Sequence, residues 1–329
     1  MILCYHGVSL QDEHAADPEL YVPPSHLRQR LAALRAGGYV ILPLGEAVAR
    51  LRAGTLPPRS VALTFDDGTR DFAEVAVPIL AEFDAPATVY LTTYYCDHAL
   101  PVFNTAARYL LWRGRASGVD IGPLLGVDRR VPIATPAERA AAWDAIATHM
   151  TAAALDAEAK DALLRRLSAA VGVDHEAFLA TGMFQQMTPA QVRDLPRPLV
   201  DVQLHTHRHR TPRDEALFRR EIVENRDRIE AYEAGAAPSP VHFCYPSGDY
   251  WGEFLRWLPA LGVETATTTV PDIATAESHP LLLPRFIDTC AVDAATFAAW
   301  VAGLGALLPK RRRYQLDPAR LRGEARATA

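Results

Sequence analysis

Short apolar runs alternate with helix-patterned stretches along most of this chain, and that alternation limits it to an α/β fold with parallel strands. Met1 to Tyr5 reads as the first strand, Tyr39 to Leu42 as the second and Ser60 to Phe65 as a fully buried third. Between them, Ser25 is positioned to cap a helix carrying Leu27, Leu31 and Leu34, stopped by Gly37-Gly38, and a second helix covers Gly45 to Ala53. A helix from Phe72 to Phe83 and a strand from Ala87 to Thr92 complete one βαβ unit. Strand patterns resume at Val200 to Leu204, Val241 to Tyr245, Thr265 to Val270 and Leu281 to Ile287. At 329 residues the chain admits two domains or one barrel of about 250 residues with insertions.

The pattern changes between about residues 104 and 186. Thr135-Pro136-Ala137-Glu138 is a capping box with proline at the first helical position, and it opens an alanine-rich helical stretch. A second box, Thr188-Pro189-Ala190-Gln191, starts the return to the sheet. The expectation is a single domain over residues 1–309 interrupted by a helical insertion that packs on it, with a substrate-covering lid or partner surface as the alternative role. Residues 310–329 form a tail beginning Lys310-Arg311-Arg312-Arg313, expected to be solvated and flexible; contact with anionic lipid is the second possibility.

Charge excludes some partners. The formal net charge of −5 predicts no general affinity for nucleic acid or anionic membrane. Of 34 basic residues only Lys160 and Lys310 are lysine, a bias that reads as genome composition. Cys4, Cys96, Cys244 and Cys290 are scattered and are expected to be reduced, as suits the cytosol. No secretory signal is visible, and the apolar run Ala294 to Leu308 is too short for a transmembrane segment, so it is expected to be a packed helix. The expected location is cytoplasmic, including the inner face of the membrane.

Three segments carry chemistry. Thr64-Phe65-Asp66-Asp67-Gly68 ends a buried strand in two carboxylates with a glycine behind them, where barrel strands point at an active site; a simple helix-capping turn would look the same. His205-Thr206-His207-Arg208-His209 follows another strand. Residues four apart in an extended strand lie about 13 Å apart, too far to share one ion at about 2.1 Å each. A helical turn brings them within about 6 Å, so His205 and His209 chelate a metal only if the chain turns after Leu204; His207 then points elsewhere. Two histidines and a carboxylate are a common hydrolytic set that leaves room for water. Asp67 supplies the carboxylate and Asp66 remains free as general base, taking a proton from water whose pKa the metal lowers toward 7. The third segment, Phe243-Cys244-Tyr245-Pro246-Ser247-Gly248, is by itself only a strand end and a turn.

Taken in order, these three segments resemble the first three motifs of the polysaccharide deacetylase family, the NodB-homology group or carbohydrate esterase family four. The resemblance spans roughly residues 60 to 290, and Leu3-Cys4-Tyr5-His6 is similar to the start of members from exopolysaccharide and surface-glycan pathways. It implies a distorted (β/α) barrel holding one divalent ion, commonly zinc. It further implies that Asp66 is the base, that Asp67, His205 and His209 are the ligands, and that the backbone N–H of Ser247 stabilises the oxyanion. The implied reaction removes an N-acyl, usually N-acetyl, group from an amino sugar in a glycan or a lipid-linked precursor. Deformylation or small-amide hydrolysis would use the same site.

The chain departs from the family pattern in three places. Cys244 stands where the family has an arginine that orients the catalytic aspartate; Arg285 is the replacement candidate, or an ordinary structural arginine. The late leucine-histidine motif reads Leu281-Leu282-Leu283-Pro284, without its general acid. His6 is the first candidate for that acid, against a core or surface role, and His279 the second. The fourth-motif tryptophan has no counterpart, since Trp251 and Trp257 lie too close behind the third motif. These gaps leave a glycan-binding protein with weak or no turnover as the alternative of another class.

Overall fold

The structure, a computed structural model, describes residues 1–98, 100–116, 118–235, 237–307 and 318–321. Its strands are β1 (Ile2–Tyr5), β2 (Gly7–Val8), β3 (Tyr21–Val22), β4 (Val40–Ile41), β5 (Ser60–Phe65), β6 (Ala87–Leu91), β7 (Val200–Leu204), β8 (His242–Cys244), β9 (Thr265–Thr267) and β10 (Phe286–Ile287). The main sheet runs β10-β1-β5-β6-β7-β8-β9, with β4 beside the start of β5, and all its pairings are parallel. Strands β1, β6, β8 and β9 are buried along their whole length, as expected where helices cover a parallel sheet.

The sheet curls until residues 283–287 join its two edges. Leu283 bridges in parallel to Thr267 beside β9, while Phe286 and Ile287 pair with Leu3 and Cys4 of β1. The expected strand over Leu281 to Ile287 is therefore split. Pro280 opens a single 3-10 turn through Leu282, and Pro284, which has no N–H to give a ladder, separates the two pairings. This distorted barrel is the architecture the motifs implied.

Local signals account for most helix ends, with two corrections. Ser25 is not a cap: the helix runs Pro24–Ala36 from Pro23, because Pro24 already has the backbone angle that the first helical position needs. The apolar run after Asp293 is not one packed helix either. It forms a helix only over Ala294–Val301, stops before Gly303 at φ 88°, and leaves Leu304 and Leu307 exposed. The basic segment Lys310 to Arg313 lies outside the described residues. Among those described, no helix is long and apolar enough to cross a membrane.

Both capping boxes form. Thr135 accepts from the Glu138 N–H and Thr188 from the Gln191 N–H, and each partner's side chain returns a bond to the cap's own N–H. Helix Phe103–Arg113, ahead of the first box, and helices Pro136–Ala152, Ala157–Ala170 and His175–Ala180, between the two, surround a core of their own that includes Leu110, Ile146, Leu164 and Phe178. The barrel core, with Leu63, Val89, Leu204 and Phe243, is a separate cluster.

Candidate active site

The C-terminal ends of β1, β5, β7 and β8 converge on one cavity of about 440 Å3, lined among others by His6, Asp66, Asp67, His205, His209 and Ser247. Asp66 leaves β5 with its N–H on the Tyr5 carbonyl at 2.9 Å, and its carboxylate is buried. Arg285, with no exposed surface, meets it end on: Nη1 to Oδ1 and Nη2 to Oδ2 are both 2.6 Å. The guanidinium is itself fixed by the Thr268 carbonyl at 3.0 Å and Thr64 Oγ1 at 3.1 Å. Burial pushes the Asp66 carboxyl up, but the charge and hydrogen bonds of Arg285 outweigh it and hold the group well below the ordinary carboxylate range. Cys244, in the place of the family arginine, lies 3.1 Å from Arg285 Nη2, so the cation comes from the segment joining the sheet edges instead.

Asp67 has φ 73° and is followed by Gly68 at φ 73°, a reversal that turns its side chain toward the ends of β7 and β8. Gln186, returning from the helical segment, lies against this turn with its side-chain amide 2.9 and 2.7 Å from the Asp67 and Gly68 carbonyls, and two acceptors there assign its nitrogen to that side, as donor to both. Asp67 Oδ1 lies 3.2 Å from Nε2 of both His205 and His209. Yet this oxygen is buried without a hydrogen-bond partner, so neither ring aims an N–H at it. Two ligands at about 2.1 Å from one ion are about 3.0–3.4 Å apart for octahedral to tetrahedral angles, so the spacing fits a shared cation. His205 Nδ1 is 2.8 Å from the Cys244 carbonyl, a bond that puts its proton there and leaves the Nε2 lone pair free to bind a cation.

The two histidines meet, with ring centroids 5.0 Å apart, but not through a helical turn. Thr206 at φ 62° and His209 at φ 52° reverse the chain in an irregular loop, and Thr206 Oγ1 accepts from the Arg210 N–H at 3.1 Å. A β-branched residue in that region is strained, and Asp67 and Ser247 (φ 56°) share the feature, so backbone strain concentrates around this cavity. Without a cation, burial lowers the His209 pKa, but the Asp67 carboxylate overrides it and raises the value. The same histidines hold Asp67 low against its burial. His207 turns away to Thr93 Oγ1 at 2.9 Å.

His6 lines the cavity with Nε2 3.9 Å from Asp66 Oδ2, beyond hydrogen-bond range. His279 is elsewhere, accepting from the Leu281 N–H to cap its turn. Trp257 packs on Phe218 and Phe254 in the core, and Arg213 covers Trp251. Sequence reasoning missed three residues. Asn225 accepts from the His205 N–H at 2.9 Å and donates to the Leu91 carbonyl and Thr93 Oγ1, tying β6 to β7. Gln186 clamps the aspartate turn, and Lys160 of the helical segment lines the cavity. No local pattern marks any of them, since each acts across a tertiary contact.

Residues 53–123 match the family model described as polysaccharide deacetylase. An 86-residue stretch is 37% identical to the poly-β-1,6-N-acetyl-D-glucosamine N-deacetylase of Escherichia coli K12, covering 26% of this chain and 12% of that protein. This chain thus matches only about an eighth of the curated relative's length. Among solved structures, the Streptococcus pyogenes deacetylase PplD in complex with acetate superposes with a TM-score of 0.59 at 20% identity, over 94% of this chain and 97% of that one. IcaB from Ammonifex degensii gives 0.58 at 16%, covering 92% and 96%. The BpsB deacetylase domain from Bordetella bronchiseptica gives 0.51 at 17%, covering 87% and 94%. At these identities the superpositions establish the fold. With the family match, they bear out the resemblance to polysaccharide deacetylases and their barrel.

Proposed function

We propose that this protein is a metal-dependent hydrolase that removes an N-acyl group, N-acetyl first, from an amino sugar of a glycan or glycan precursor. One observation carries the proposal: the orphaned Asp67 Oδ1 facing two imidazole Nε2 atoms, beside a second carboxylate kept ionised by Arg285. Asp67, His205 and His209 would hold one divalent ion, zinc being the usual choice for two histidines and a carboxylate. When bound, such an ion supplies Lewis acidity, which acidifies water and polarises a carbonyl.

The chain's own groups do the rest. Asp66 takes the proton of the attacking water; a carboxylate held this low is a weak base, which is why it needs water already acidified. The Ser247 N–H faces the acyl oxygen as negative charge develops on it. His6 gives a proton to the departing nitrogen, so that a carboxylate and a free amine leave. The amino-sugar substrate rests on the family match and on the activity named for the E. coli relative. Of the departures that favoured binding without turnover, the missing arginine is met by Arg285, whose bidentate pair with Asp66 supports this reading, and the missing acid is assigned to His6.

Two measurements test this. Protein purified without chelator should carry about one zinc per chain and release acetate from N-acetylglucosamine oligomers. Asp66→Asn, checked as folded by circular dichroism, should keep the metal and lose turnover. Absence of metal in the parent even after zinc addition, or full activity in Asp66→Asn, would overturn the proposal.

A further inference from the structure

The helical segment does more than pack on the barrel: it supplies part of the wall of the catalytic cavity. Asn104 and Thr105 of helix Phe103–Arg113 and Lys160 of helix Ala157–Ala170 line that space together with His6, Asp66 and Asp67. A group bound by Lys160 can therefore belong to the same small molecule that meets the two aspartates.

The charges around this cavity are paired, with one exception. Asp66 is matched by Arg285, and Asp67 faces two histidines. Arg208, on the same lining, is held by Glu221 at 3.2 Å and Glu224 at 2.5 Å. The half-buried side chain of Lys160 has no ion-pair or hydrogen-bond partner among the described residues. Its neighbours are engaged elsewhere: Asp156, four residues back, caps the Ala159 N–H at 2.9 Å, and Asp161 lies 4.0 Å from Arg165. Lys160 is also the fourth residue of its helix, near the end where a cation opposes the helix dipole. Nothing inside the fold accounts for its charge. It is the one lysine among the described residues of a chain that otherwise uses arginine. An ammonium is a compact point charge that suits a phosphate or carboxylate oxygen without planar, two-point contact. The exposed Asn104 side chain, also without a partner among the described residues, offers a further N–H donor on this wall.

We propose that Lys160 selects an anionic amino sugar. Its ammonium, with the Asn104 amide on the same wall, holds a phosphate or carboxylate substituent of the sugar whose acyl group reacts. The substrate class is thereby narrowed to amino sugars carrying a negative charge within one cavity's breadth of the amide. The inference rests on the amino-sugar reading above.

The experiment compares N-acetylglucosamine 1-phosphate and N-acetylmuramic acid with neutral N-acetylglucosamine. It reads turnover by the zinc-loaded protein and calorimetric titration of chelator-treated protein, which keeps phosphate off the metal. The variants are Lys160→Gln and Lys160→Arg, both checked as folded by circular dichroism. In the parent, at least one anionic sugar should exceed the neutral one by about tenfold or more in kcat/KM and in affinity, and the one that does identifies the anion. Lys160→Gln should remove most of that ratio, Lys160→Arg should keep most of it, and added salt should shrink it. A parent preferring neither anionic sugar, or Lys160→Gln losing equally on all three, would overturn the proposal and leave the hydrolase reading intact. So would a Lys160→Gln variant in which only inhibition by added acetate weakens, because Lys160 would then meet the released carboxylate instead. A binding preference for an anionic sugar that Lys160→Gln removes, without turnover of any sugar, would sustain the anion site and sink the hydrolase.

Discussion

Arg285→Met asks what the buried guanidinium contributes. In the parent, Asp66 is depressed in the folded state, so the pair's contribution is present above the unfolded carboxyl value near 3.8 and is lost as pH falls through the folded value. Removing Arg285 leaves burial as the dominant influence on Asp66, so its folded pKa moves above the unfolded one. Stability of the variant then declines with rising pH from about 4 until the folded carboxyl ionises, at about 1.4 kcal/mol per pH unit. Breaking one partner of a buried pair costs about 3–5 kcal/mol. Urea unfolding of chelator-treated protein should therefore show a loss of that size at pH 8 and a visibly smaller one at pH 5. Asp66→Asn/Arg285→Met removes both charges and should recover much of the loss at pH 8. A deficit equal at the two pH values and not relieved in the double variant would refute the electrostatic account. It would leave Arg285 as a packing residue bonded to the Thr268 carbonyl.

Three further outcomes are expected. Asp71 is buried and its carboxyl is pushed up to about 7 from 3.8, so it weakens the fold as pH rises from 4 to 7, by about 4 kcal/mol in all. Asp71→Asn can still accept the Val8 N–H, so it should match the parent near pH 4 and exceed it in urea midpoint at pH 8; lower stability at pH 8 would contradict this. His6→Ala should lose about 10²–10⁴-fold on an N-acetyl sugar at unchanged metal content, but far less on p-nitrophenyl acetate, whose leaving group needs no proton. Equal losses on both would remove His6 as the acid. Asn225→Leu strands the His205 N–H and the Leu91 carbonyl, while Thr93 Oγ1 keeps His207 as its partner, and should cost about 2 kcal/mol or more in urea unfolding; under 1 kcal/mol would show that the bonds are replaced.

What the sequence made legible was local. A capping box needs only four consecutive residues, and both form as read. Strands β5 and β7 match their apolar runs residue for residue, because both are buried along a parallel sheet. The histidine pair was legible as a distance problem, since an extended chain cannot close it. Its solution was not legible, because it places a β-branched threonine at φ 62°, where propensity argues against it. Tertiary hydrogen bonds hold that conformation, and they have no signature in the adjacent sequence. The same reason hid Asn225 and Gln186.

Arg285 shows how a missing motif residue differs from a missing function. Read along the chain, Cys244 is a loss and Arg285 is one arginine among many. Read across the barrel, Leu283 pairs beside β9 and Phe286 beside β1, so the residue between them sits where the sheet's edges meet, next to the end of β5. A side chain there can reach Asp66 only if position 244 is small enough to leave the space. The Cys244 sulfur, 3.1 Å from the guanidinium, is that allowance. A guanidinium at both positions would crowd two buried cations around one carboxylate, with at least one desolvated and unpaired. The cysteine and the arginine therefore have to be read together: the small residue at one position is what makes the cation at the other possible.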